Sequence, residues 1–224
     1  MTVRLLIENA YRLMSFQISS GPNWLDSARF DIIAKSDTDV TPDGLLMMLR
    51  ALLEDRFALR THREARPEPA YFLTVARDSA KMQQAEGTCI PRDPKNPPAR
   101  PTSGQQPPNY CGSIRRSRQT LDGIGVQLAD TNGITLGTLS GQLSSILGRA
   151  VIDKTGLTGI FNFHLQWAAE PSAALAGATN PTPPDTADPS IFTALQEQLG
   201  LKLQSGKAPV DILVIDNVEQ PSAN

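Results

Sequence analysis

The stretch TPDGLLMMLRALLEDRFALRTHREARPEPAYFLTVA, residues 41–76, decides the fold. It opens with a helix signal: Thr41 can cap, and Pro42 suits the first helical position, where its missing N–H costs nothing. Leu45, Leu46, Leu49, Leu52 and Leu53 then recur at helical spacing up to Phe57. After Phe57, FALRTHRE and AYFLTVA read as two strands turning at ARPEP. One helix is thus followed by a strand pair.

Upstream, TVRLLIENAYRL sets Val3, Leu6, Ile7, Ala10 and Leu13 on one helical face, and FQIS reads as a short strand. GPNWLDSARFDIIAK, residues 21–35, follows. Gly21-Pro22 makes a turn, and alternation of Phe30, Ile32 and Ala34 predicts a strand. Trp24 and Leu25 are expected to be buried where the chain enters that strand. The alternative is a surface Trp24 that, with Asp26 and Arg29, forms a contact patch, since Trp and Arg are favoured at interface centres.

Downstream the same order returns. TLGTLSGQLSSIL is an amphipathic helix and AVID a short strand. GIFNFHLQW is a strand with Phe161, Phe163, Leu165 and Trp167 on one face. Asp188 and Pro189 are read as N-cap and first-turn proline of a helix SIFTALQEQLG, and LKLQS and VDILVID as a hairpin around GKAP. ALLEDRFALR (51–60) aligns with ALQEQLGLKLQ (194–204). The reading is an α+β chain of two similar helix-strand-strand-helix-strand-strand units, 1–78 and 121–218. A Pro-rich linker occupies 79–120, an Ala/Pro/Thr-rich excursion 168–189 and a tail 219–224. In the second unit IGVQLAD is a plausible strand before the opening helix, where the first unit has none, so the chain is expected to begin inside the first.

Composition narrows function. A net charge of −2 with 20% charged residues points neither to nucleic acid nor to an anionic membrane, and no apolar run is long enough to span a bilayer. Cys89 and Cys111 both fall in the Pro-rich linker, as a disulfide or as two idle thiols. The disulfide is preferred because structural thiols usually lie in periodic segments. It would close a loop of about 20 residues, contributing about 3 kcal/mol, and would imply an oxidising compartment.

Few residues invite catalysis. Of the two histidines, His62 stands among charges and His164 on the polar side of its strand, so both read as solvated. No spacing preorganises a zinc site with the two cysteines. GTLSG (137–141) places Ser140 one position late for a nucleophile elbow and inside a helix pattern. DTDVTPDG (37–44) starts like a calcium loop but has Thr41-Pro42 and Met48 where the turn and closing ligands belong. Arg115, Arg116 and Arg118 lack interleaved aromatics and read as a solvated run in the linker.

Four stretches together, GPNWLDSARFDIIAK, LLEDRFALRTHREARPEPAYFLTVA, VIDKTGLTGIFNFHLQW and SIFTALQEQLGLKLQSGKAPVDILVIDNVEQPS, resemble an uncharacterised bacterial domain family known as soil-associated. The resemblance implies export, and in some members fusion to membrane-bound sensor metallopeptidases related to β-lactam receptors. It assigns no catalytic residue. The export signal usual in that family is not among these residues. The order of elements is also similar to short N-terminal domains of secretins and TonB-dependent receptors, an analogy of fold.

The expectation is therefore a non-catalytic extracytoplasmic binding module for an unknown protein or envelope component, without cofactor, nucleic acid or membrane insertion. Its rival is a hydrolase of envelope polymers working through carboxylates such as Asp26, Asp31 or Glu64. A third possibility is a purely structural envelope protein.

Overall fold

Thr2 is extended, and its hydroxyl accepts from the Leu5 N–H at 3.4 Å, which starts helix α1, Val3–Tyr11. The spacing of Val3, Leu6, Ile7 and Ala10 buries one face, as the sequence predicts. Arg12 ends the helix in the left-handed region at φ 52°. Helix α3, Pro42–Phe57, starts as expected, with the Thr41 hydroxyl accepting from Gly44 N–H at 3.2 Å and Pro42 in its first turn.

The computed structural model describes residues 1–33, 35, 40–76, 80–85, 89–90, 110–121, 124–168 and 189–221. The chain is α+β and divides into two compact units. One comprises Met1–Ala70, Ser145–Ala150 and Lys207–Asn224; the other, Tyr71–Ser144 and Val151–Gly206.

In the first unit a 3-10 turn, Ser15–Gln17, leads into the two-residue strand β1, Ile18–Ser19, and a short helix α2 spans Trp24–Ser27. β1 runs parallel to the last strand, β9 (Leu201–Asn217), pairing Ile18 with Leu213. β2, Arg60–Val75, lies on the other side of β9. α1 packs on α3, with Arg50 stacked 4.8 Å over the Tyr11 ring and bonded to the Ala10 carbonyl. Val3, Ile7, Leu25 and Leu53 are wholly buried in the resulting core with Ile18 and Leu213. Each such side chain contributes about 1.5–3 kcal/mol.

In the second unit β4, Ser113–Leu121, and β5, Ile124–Asn132, form an antiparallel hairpin, and β8, His164–Ala168, adds to the far side of β5. Helix α5, Ile191–Leu199, packs on β8, and helix α4, Leu136–Leu147, buries Leu136, Leu139 and Leu143. Strand β6, Ala150–Asp153, lies next to β2, where Lys154 N–H meets the Leu73 carbonyl. β3, Gln83–Gln84, pairs with β7, Phe161–Asn162. Cys89 and Cys111 are at bonding distance, Sγ–Sγ 2.08 Å.

Four expectations are corrected. The two hairpins are each one continuous strand, β2 through Pro67 and Pro69 and β9 through Gly206 and Pro209. Residues 30–33 form no strand: Arg29 makes one bridge to Thr2, and Phe30 exchanges main-chain bonds with Met1. Among the described residues, main-chain pairing goes no further than the Phe30–Met1 bonds. The cap of α5 is Ser190, whose hydroxyl accepts from Thr193 N–H at 3.3 Å; Pro189 precedes it, and Asp188 lies outside the described residues. The strand GIFNFHLQW is broken at Phe163, whose N–H goes to the Thr131 hydroxyl at 2.9 Å.

Two further strands, β3 and all of β4 but Leu121, lie within the interval 79–120 read as linker, and residues 169–188 of the excursion read at 168–189 are outside the described residues.

Candidate interaction surface

Three nominated residues lie within six positions in the first unit. Trp24 opens α2, is half-buried and packs on the core that holds Leu25. Asp26 receives the Arg4 guanidinium at 2.5 Å. Arg29 is exposed and its main chain meets Thr2. Asp26 also joins a small charged cluster with Arg4 and Glu8 of α1. Burial pushes the Glu8 carboxyl above its usual range. Arg4 and a hydrogen bond from Ser15 oppose this, and Asp26 reinforces it.

Immediately after Arg29 the chain lines an open groove of about 540 Å³, with Phe30, Asp31, Ile32 and Ile33 on one side and Leu52, Asp55, Arg56 and Phe57 of α3 on the other. Phe30 meets Phe57 edge-on at 5.1 Å, which forms the floor. Ile33 is 90% exposed. On α3, Leu45 and Met48 precede Leu52 by seven and four positions, so helical geometry sets all three on one face. Leu45, Met47 and Met48 are exposed, Met47 by 67%. This surface escaped the sequence reading. Its signal was the unbroken apolar run Leu45–Leu46–Met47–Met48–Leu49, wider than the stripe one packed helix face can bury.

The nominated carboxylates occupy separate settings. Asp26 is paired with Arg4, Asp31 lines the groove, and Glu64 is paired with Arg66 beside His62. Asp55, which also lines the groove, is 3.3 Å from Arg56.

Each histidine has an aspartate on Nδ1: Asp216 for His62 at 2.8 Å and Asp130 for His164 at 2.6 Å. Among the described residues no hydroxyl or thiol is bonded to either ring, and no three His, Cys, Asp or Glu side chains converge as a metal site. Ser140 is buried in the middle of α4, away from any strand-to-helix elbow. Arg115, Arg116 and Arg118 stand exposed on β4 rather than in a linker loop. Among the described residues no helix is long and apolar enough to cross a membrane.

Residues 4–218 match the family described as Protein of unknown function (DUF3738). The chain belongs to this family. No curated protein and no solved structure matches it. Membership in DUF3738 covers both compact units, so the groove and the β4 hairpin lie within the family's span.

Proposed function

We propose that the chain is a non-catalytic interaction module working outside the cytoplasm, and that its contact surface is the apolar groove of the first unit. The exposure of Ile33 in the groove, and of Leu45 and Met48 on the α3 face that Leu52 shares, carries this reading. Apolar surface left in water marks a binding site, and methionines adapt to a partner's shape. The occupant is a polypeptide that places apolar anchors against Ile32, Ile33 and Leu52. Arg29 precedes the groove in sequence, Trp24 packs on the core beside it, and Asp26 lies exposed and paired with Arg4.

The Cys89–Cys111 pair and the resemblance to an exported family support an oxidising compartment. Duplication of an ancestral unit is part of the proposal. α3 and α5 both end in a left-handed cap, Ala58 and Gly200, followed by a buried leucine, Leu59 and Leu201.

The test is capture from an envelope extract with the oxidised chain, its Ile33→Ser/Met48→Ser variant and Trp24→Ala. A polypeptide retained by the parent and lost with the groove variant at unchanged stability supports the reading. Retention by that variant, or binding explained by a second copy of the chain in light scattering, removes the groove from it.

One observation favours a hydrolase instead: Asp31 and Asp55 line the same groove. Release of soluble fragments from envelope polymers, abolished by Asp31→Asn and Asp55→Asn, would establish that reading.

A further inference from the structure

The sheet β4-β5-β8 treats its two edges differently. On the outer side of β8, the Gln198 side chain of α5 accepts from the Gln166 N–H at 2.9 Å and donates to the Gln166 carbonyl at 2.7 Å. Two residues on, Ala168 N–H is taken by the Pro189 carbonyl at 2.9 Å. That edge is sealed.

β4 is the opposite edge. Its nine residues pair with β5 in unbroken register from Ser113↔Asn132 to Leu121↔Ile124, and among the described residues nothing pairs with its other side. It contains neither Pro nor Gly, is longer than most edge strands, and has no bulge in its register. Unpaired main-chain groups along such a strand are a template for another strand.

The one protective device on β4 is charge. Arg115, Arg116 and Arg118 are exposed, and among the described residues none makes an ion pair. Arg116 and Arg118 lie on the sheet face that carries Ala129, Leu165 and Trp167, and Arg115 on the face of Asp130 and His164, as the register requires. A second copy of β4 laid along this edge would set guanidinium groups against one another, which is unfavourable. An extended segment bearing carboxylates meets the same charges with the opposite sign.

We propose that β4 is an acceptor strand for an acidic extended peptide of a partner protein, bound by main-chain addition along Ser113–Leu121 and selected by Arg115, Arg116 and Arg118. This site is separate from the groove of the first unit and does not depend on it.

The test uses the full oxidised chain and synthetic peptides of alternating Glu with Val or Thr, a Lys-for-Glu version, and a Glu version N-methylated at alternate residues. The Glu peptide binds and slows amide exchange at residues 113–119. The Lys and N-methylated peptides bind about tenfold or more weakly. Arg115→Glu/Arg116→Glu/Arg118→Glu reverses the preference toward the Lys peptide. Equal binding of the N-methylated peptide would reduce the site to charge alone and overturn strand addition. So would an oligonucleotide or an anionic phosphatidylglycerol vesicle that binds more tightly than the Glu peptide at the same ionic strength. No binding of the Glu peptide overturns the proposal outright, whatever the fate of the arginine variant.

Discussion

The side-chain amide of Gln198 bonds both main-chain groups of Gln166, accepting at 2.9 Å and donating at 2.7 Å, as a neighbouring strand would. A helix residue thereby completes the ladder of β8. Gln198→Ala leaves a part-buried N–H and C=O without those partners and should cost about 1–2 kcal/mol. Gln198→Glu keeps the acceptor but puts a carboxylate against the Gln166 carbonyl, so it should not rescue. Urea midpoints and amide exchange at Gln166 check this; unchanged exchange in Gln198→Ala would mean that the edge is sealed by something else.

Gly133 and the Cys89–Cys111 pair should be energetically coupled. Gly133 has φ +57°, and a Cβ there would lie 2.4 Å from Cys89 Sγ. Gly133→Ala therefore adds a clash to a left-handed backbone that alone costs an Ala about 1–2 kcal/mol. In a Cys89→Ala/Cys111→Ala background the sulfur is gone and the backbone part remains. Removing the bridge, whose cysteines are 22 positions apart, should itself cost about 3 kcal/mol. A double-mutant cycle on unfolding free energies should show Gly133→Ala costing less without the bridge. Strict additivity would show that the contact is relieved at no cost in the bridged chain.

Much of the fold could be read from the residues, and the errors share a cause. Thr41-Pro42 and the Val3/Leu6/Ile7/Ala10 spacing are local signals, and α3 and α1 obey them. Pro67 and Pro69 look like a turn, yet both lie in β2. Residues two apart in a strand point their N–H groups the same way, so both missing donors fall on one side of β2 and leave the other side's ladder intact. Whether a proline breaks a strand depends on a neighbour the local sequence does not name. The reverse holds at Phe30–Ile33: the alternation is right for a strand, but among the described residues only Arg29 and Phe30 find main-chain partners, Thr2 and Met1. Of the candidate contacts, Trp24 and Asp26 were visible as residue types. The groove was not, because exposure of Ile33, and of Met48 on the adjoining helix face, is a failure of burial, which periodicity does not report.

Two serines one turn apart in α4 should respond oppositely to alanine. Ser144 donates to the Ser140 carbonyl and accepts from the Val151 N–H, both at 2.8 Å, tying the helix to β6. Ser144→Ala leaves that buried N–H unsatisfied, for a loss of about 1–3 kcal/mol. The Ser140 hydroxyl is buried with no partner among the described residues. Ser140→Ala removes that unpaired group and improves helix propensity, so stability should rise by about 0.5–1 kcal/mol. Thermal midpoints decide it, and a loss in Ser140→Ala would reveal a partner for that hydroxyl.

Glu8 gives the first unit a pH dependence with a definite sign. Burial, foremost, raises its carboxyl above the ordinary 4.5, with Arg4 and Ser15 opposing and Asp26 adding to the rise. A raised value in the folded state means that folding favours the protonated acid. The stability tied to Glu8 is then fully present below about pH 4.5 and is lost as pH climbs through the folded-state value. Glu8→Gln imitates the protonated form at every pH. It should match the parent in acid, exceed it at neutral pH, and flatten the decline between the two. Arg4→Gln should move the Glu8 titration, followed by its side-chain carbon resonance, further upward, because the nearest cation is gone. If Glu8 titrates at or below 4.5, or Glu8→Gln is the less stable protein at pH 7, then charge pairing with Arg4 outweighs desolvation and the sign reverses.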